Sequence, residues 1–414
     1  MNSVIYSKIK NILSNFFPEN EIESFWNELN NSTPDSSFDP KKDDLQTEAE
    51  ISIGMDKRAQ IDIVITYAED KLEKDKFLDL LLSLGDLMIV NGELDVAEEI
   101  NKDIISKTEK DVYNEILRAK AYLAIAKINW QQSIWDDAFR CTRLAYYIFT
   151  RHEDINGCAK CENMLGTIYG ERGEIEKATN HFERGKAYLY NHSNLEMEAM
   201  FETNLGVLYN MQEQYPKALR NYRNSLRNYK KLNNSRLIAR VHHNMGMVKT
   251  KMENYEGALQ DFNECINVSL QNNYLSNCAI SYIGKAYIYA KTKRSELAEV
   301  FTDKAMEIAY KLNDTLTIAD TYRVKALIQE NIGDLEFSEE LFENSLRLNK
   351  DKKNKINEAE ASEELARLYE KAENPKEAKE HMKKAIRYYK KIKAEKKVEN
   401  IQEYLQSITP AAAV

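Results

Sequence analysis

The chain has 414 residues, 43% of them apolar and 30% charged, and a formal net charge of −9. That apolar share suffices for a core, and so high a charge fraction points to long helices with solvated faces. Acids and bases are mixed throughout, which argues against a nucleic-acid binder, and the five cysteines are odd in number and irregularly spaced, which argues against a disulfide framework.

In chain order, residues 1–30 read as an N-terminal helical segment divided at Pro18. Lys8 and Lys10 interrupt its apolar stretch, where a secretory leader would need a continuous core. Phe16, Phe17, Phe25 and Trp26 are expected to dock on the first repeats or on a partner. Residues 31–55 read as a linker, rich in Pro, Ser and Asp. Residues 56–77, with Ile61, Ile63, Val64, Ile65 and Tyr67, read as a helical lead-in or degenerate repeat. Residues 389–408 suit a solvated closing helix, and the tail TPAAAV is expected to be unstructured. No run approaches the roughly 18 apolar residues of a membrane span, so no membrane association and a cytoplasmic, reducing setting are expected.

Between these ends, residues 78–388 repeat. Small residues fall at Gly85, Ala126, Gly166, Gly206, Gly246, Ala286, Ala326 and Ala366, 40 apart after a first interval of 41. Twelve residues past each anchor stands a second small residue, from Ala97 to Ala378, with Ser338 in the seventh unit. Phe182, Tyr222, Phe262, Phe342 and Met382 follow four later, and Tyr169, Tyr209, Tyr289 and Tyr369 stand three after their anchors. Self-similarity at this period signals a stack of like units. Within each unit two helical apolar stripes flank a polar turn, as in MQEQYPK. Pro216 and Pro375 suit the first turn of a helix, where no N–H partner is lost, and Gly173 and Gly333 suit a left-handed helix end. The small anchors let paired helices approach and the aromatics fill the space between units, so the remaining positions are free to drift.

The pattern LG..Y........A...F..A resembles the tetratricopeptide repeat family over about three quarters of the chain. The early Trp of the family motif is absent, with Tyr122, Tyr282 and Tyr322 in its place in some units. The usual period is 34 residues; here the additional residues are expected around KKLNNSRL, LQNNYLSN and KLNDTLTI, between one unit and the next. Longer repeats of this kind are similar to those of kinesin light chains, cell-polarity adaptors and the bacterial Rap-type peptide receptors. The resemblance implies an all-α, right-handed superhelical solenoid of about eight helix-turn-helix repeats behind an N-terminal helical segment. Its first helices would line a concave binding wall.

Little else in the sequence speaks for chemistry. No phosphate-binding loop, nucleophile elbow or zinc-protease motif occurs. Cys158 and Cys161 form a single CxxC inside a helical phase, which favours packing over metal binding. Neither an enzyme nor a cofactor or metal is expected. By phase, positions six, three and two before an anchor and one, four and five after it face the groove or its rim. These include Lys160, Asn163, Asn204, Asn210, Arg240, His243, Asn244, Lys251, Tyr287, Lys291 and Arg323. The resemblance implies that Asn204 and Asn244, which share one phase, hold a peptide backbone, since a carboxamide both donates and accepts. The basic members would receive acidic groups, whereas Glu360, Glu363, Glu364 and Glu370 make the last unit acidic. The expected function is a non-enzymatic scaffold or adaptor that takes a protein or peptide, acidic by charge matching, in its groove. The alternative is a Rap-type peptide-sensing regulator acting on a response regulator through its N-terminal helices. Self-association into a homo-oligomer is left open.

Overall fold

The computed structural model describes residues 3–32, 46–192 and 194–407, and side chains over 8–26, 58–59, 61–192 and 194–407. All regular structure among the described residues is helical. The chain divides into two compact units, residues 1–168 and 169–414.

The first unit holds α1 (Ser3–Leu13), α2 (Glu19–Ser32), α3 (Gln46–Lys71), α4 (Lys74–Asn91), α5 (Leu94–Thr108), α6 (Glu115–Gln131), α7 (Trp135–Arg151) and most of α8 (Ile155–Glu171). Helix α3 begins at Gln46, inside the stretch expected to be a linker to residue 55. The polar sequence there suits an exposed helix as well as a coil, since few of its residues break a helix. Residues 31 and 32 of the expected linker belong to α2; residues 33–45 and the TPAAAV tail lie outside the described residues. The N-terminal aromatics turn inward. Phe17, Phe25 and Trp26 are buried and Phe16 is partly so, in one apolar cluster with Val64, Leu78, Leu81, Leu84 and Ile104. The Phe25 and Phe17 rings lie 4.4 and 5.5 Å from the ring of Tyr67, so both pack on the chain itself.

The second unit continues with α9 (Ile175–Tyr188), α10 (Leu195–Met211), α11 (Tyr215–Lys231), α12 (Ser235–Lys251), α13 (Tyr255–Gln271) and α14 (Leu275–Lys291). It ends with α15 (Ser295–Leu312), α16 (Thr315–Ile332), α17 (Leu335–Asp351), α18 (Lys355–Lys371), α19 (Pro375–Lys391) and α20 (Glu395–Ser407). Its repeat divides into equal halves. Helices α10, α11, α12 and α13 each have 17 residues, with three-residue turns at 212–214, 232–234 and 252–254. The residues beyond a 34-residue period therefore lengthen helices. They do not build longer connections between units, as the sequence suggested.

A left-handed residue marks nearly every turn. Gly173 and Gly333 have φ of 74° and 93°, and Glu213, Asn233, Glu253, Asn273, Lys293, Asn313, Lys353, Glu373 and Lys393 adopt the same region. The next residue closes the turn and caps the following helix. The Asn234 N–H donates to Tyr229 O at 3.1 Å while its side chain accepts from Leu237 N at 3.2 Å. Asn254, Asp314, Asp334, Asn354 and Asn374 cap in the same way. Such a turn satisfies carbonyls of one helix and amides of the next within three residues.

Close helix approach depends on the glycine anchors. A Cβ at Gly206 would fall 2.6 Å from the Tyr222 ring, and one at Gly246 2.7 Å from Phe262. Phe262 also lies against Gly284 of the following repeat, so one ring fills the gap between two units. First helices pack on one another in the series α10, α12, α14, α16 and α18. That series forms the inner wall of the second unit, and the longer spacing of the second helices leaves them outside.

Candidate functional site

The expected groove residues divide between the units. In the first, Lys160 is exposed and Asn163 half-buried on α8. Lys160 lies near Asp86, whose pKa is raised by burial against the pull of Lys127, Lys160 and Lys120. All other expected wall residues belong to the second unit. Asn204 and Asn244 occupy matching half-buried positions on α10 and α12. The Asn244 carboxamide has no partner among the described residues. The Asn210 side-chain oxygen is buried and accepts no hydrogen bond there, a costly state that a donor from a bound chain would relieve. Arg240 is exposed. His243 sits deeper, with Nδ1 3.2 Å from Ser281 Oγ and its ring 5.6 Å from that of Phe262. Burial, and then the charge of Arg240, push its pKa down to about 4.

Farther along the wall the polar groups join into one network. Lys251 Nζ, at the end of α12, meets Glu360 Oε1 of α18 at 2.9 Å. Arg323 Nη1, on α16, meets Glu360 Oε2 at 3.5 Å and both oxygens of Glu364 at 3.4 Å. The guanidinium also lies 5.6 Å from the Tyr287 ring centroid, and Lys291 Nζ lies 5.4 Å from it. Asn357 Nδ2 donates to Asp320 Oδ1 at 2.9 Å. Lys251 and Glu360 are 109 residues apart, so this pair spans the wall from the fifth repeat to the eighth. A second long closure joins Lys393 Nζ to Glu176 Oε1 at 2.6 Å, beside Gly173 and Ile392.

The electrostatics follow from burial against these charges. Burial alone would raise the Glu360 pKa, but Lys251 and Arg323 hold it down at about 2. Burial raises that of Glu364 more than Arg323 and Lys291 lower it. Asp320 is pushed up to about 6, again mainly by burial. The basic strip expected from phase is thus not bare: Lys251 and Arg323 are paired within the chain, while Lys291 and Arg240 remain at the exposed margin. Phase could have found the missing partners. Asp320 and Glu360 both stand six before their anchors, the position that also holds Lys160 and Arg240.

The cysteines pack. Cys141, Cys158, Cys161, Cys265 and Cys278 are buried thiols, and burial raises the pKa of each. No described helix is long and apolar enough to cross a membrane.

Residues 196–271 and 317–391 match a tetratricopeptide repeat model. No curated protein matches the chain in sequence. Among solved structures, a Rap protein complexed with competence and sporulation factor is 16% identical, with a TM-score of 0.58 over 95% of this chain and 100% of that one. Aspartyl phosphate phosphatase F from Bacillus subtilis is 16% identical, with a TM-score of 0.57 over 88% of this chain and 93% of that one. The Rap conjugation gene regulator of plasmid pLS20, in complex with the Phr* peptide, is 14% identical, with a TM-score of 0.53 over 82% and 98%. Identities this low carry the fold alone. Motif, period and fold agree: residues 196–271 and 317–391 match tetratricopeptide repeats, and the chain shares the fold of Rap-type structures.

Proposed function

We propose that this chain is a non-enzymatic interaction protein whose inner wall in the second unit holds an extended peptide or partner segment. Asn204 and Asn244 grip its backbone. The observation that carries this reading is the polar row on successive first helices. Asn244 has an uncommitted carboxamide and Asn210 a buried, unanswered oxygen, and both suit the alternating N–H and C=O groups of an extended chain. The Phr* peptide in complex with one fold neighbour supports the choice of ligand class.

Affinity capture from lysate with the wild-type chain and with Asn204→Ala/Asn244→Ala tests it. At about 1 kcal/mol per lost hydrogen bond, the double variant should hold its partner roughly tenfold to a hundredfold more weakly. Equal capture by both chains defeats the reading. The alternative, a peptide-sensing regulator, keeps the same wall and adds an output through the N-terminal helices. It predicts that peptide binding survives when Lys8 and Lys10, on the face of α1, are changed while signalling output is lost.

A further inference from the structure

We propose that Lys251 and Arg323 form a carboxylate-binding subsite of the inner wall, occupied in the free chain by Glu360, and that an acidic side chain of a bound peptide takes the place of Glu360. This rests on reading the wall as a peptide site and adds to it the chemistry of one position and its regulation.

Three features of the geometry carry the inference. Glu360 uses one oxygen for Lys251 and the other for Arg323, at 2.9 and 3.5 Å, so its carboxylate bridges two cations held on different helices. Such bridging suits any carboxylate delivered from the open side of the wall.

The second feature is that Arg323 is under-satisfied. Charge-assisted N–H···O bonds normally measure about 2.7–2.9 Å, yet Arg323 meets its two glutamates only at 3.4–3.5 Å, through Nη1 alone. Its Nε is buried with no hydrogen-bond partner, on a side chain only 10% exposed. A guanidinium offers five N–H donors in a planar fork. Here most of that fork, backed by the Tyr287 ring at 5.6 Å, is not used by the carboxylates beside it.

The third feature is sequence separation. The Lys251–Glu360 pair joins the fifth repeat to the eighth, 109 residues on, so stacking of sequence neighbours does not require it. Lys251 is 30% and Glu360 21% exposed, which leaves the pair accessible to exchange. An incoming carboxylate would replace one anion with another in the same charge environment. The protein then loses the two ion pairs of Glu360 and gains equivalent ones with the ligand, and releases the eighth repeat from the fifth. Glu360 therefore acts as a competitor built into the chain. It lowers the affinity for acidic peptides, and neutral ones, which cannot displace it, gain nothing at this position.

Hexaglutamate and hexaglutamine serve as probes, with the full chain and its Glu360→Gln and Glu360→Gln/Arg323→Gln variants, by calorimetric titration at low salt. Glu360→Gln should bind hexaglutamate at least about tenfold more tightly than the wild type does, and the added Arg323→Gln should remove that gain. Hexaglutamine should not distinguish the three chains. Equal hexaglutamate affinity in wild type and Glu360→Gln, or a gain that persists without Arg323, overturns the proposal. Hydrogen exchange on the unmutated chain provides a measurement independent of variant folding. Hexaglutamate, and not hexaglutamine, should change exchange at the end of α12 and in α18, and no change there also overturns it. The subsite fails by itself if hexaglutamate has no effect while capture still depends on Asn204 and Asn244. Loss of that Asn dependence with the hexaglutamate gain intact removes the backbone-gripping role and leaves the subsite.

Discussion

The start of the first unit and the inner wall of the second use burial in opposite ways. From α1 to α6 a single apolar cluster runs through Leu13, Phe25, Trp26, Leu78, Leu84, Ile104 and Ile128. In the second unit the apolar contacts divide into several clusters: small ones, such as Phe262 with Ala258 and Ile288 and Tyr222 with Ala218, Leu219 and Val241, and a longer one that runs repeat by repeat from Ile283 through Val324 and Phe342 to Ala378. The wall of this unit buries Arg323 and half-buries Asp320 and Glu360 beside it. Repeats that lean only on their neighbours need no shared core, so the surface they enclose is free to be polar. The N-terminal helices have no repeat partner, and they commit their aromatics to packing.

The largest test of this contrast compares two ring deletions. Phe25→Ala and Phe262→Ala should each cost about 3–5 kcal/mol, the usual loss for a buried phenylalanine. Their reach should differ. Native-state hydrogen exchange should show Phe25→Ala loosening α1 through α4 together, because one cluster joins them. Loss at Phe262 should stay within α12, α13 and α14, whose Gly246 and Gly284 it touches. Equal spread in the two variants would abolish the distinction between a shared core and a nearest-neighbour stack.

A smaller effect separates the regions by pH. His243 has a folded pKa of about 4, below its ordinary 6.5, because burial and Arg240 disfavour its charged form. The folded state thus binds fewer protons than the unfolded one in that interval. The contribution is full above pH 6.5 and is lost as pH falls toward 4, by up to about 3 kcal/mol. Asp320 opposes it: its pKa is raised to about 6, so its contribution is present at low pH and is lost as pH rises through 6. Denaturant unfolding at pH 7 and pH 4 should show His243→Gln losing less stability on acidification than the wild type does, and gaining it where the Asp320 contribution prevails. A slope unaffected by the substitution would mean that the ring is not held neutral at this place.

Much of this was legible in the sequence, and the remainder was not for definite reasons. The 40-residue period, the Gly206 and Gly246 anchors and the prolines at helix starts declared themselves because sterics admit few alternatives there. The left-handed turns were visible only at Gly173 and Gly333. Glu213, Lys293 and Glu373 adopt the same conformation, but no side-chain preference announces it. The even division of the repeat was missed with them. At the wall, phase placed Lys251, Tyr287 and Arg323 on one surface. It did not show that Glu360 would reach Lys251, because that contact depends on curvature accumulated over three repeats, and small angles at each interface leave no mark on any one residue.

The smallest effect concerns the two long-range closures of the second unit. Lys393 and Glu176 lie 217 residues apart at 2.6 Å, a separation that invites the idea of a clasp between the ends of the stack. Their side chains, however, are 55% and 69% exposed, and an exposed ion pair contributes only about 0–1 kcal/mol, less in salt. Lys393→Ala should therefore change unfolding free energy by under about 0.5 kcal/mol, with no change in hydrogen exchange at α9. Lys251→Ala removes a partner from a less exposed carboxylate and should exceed it. If Lys393→Ala proved the more damaging of the two, the outer contact and not the inner network would hold the stack closed, and the contrast between a structural exterior and a functional wall would be reversed.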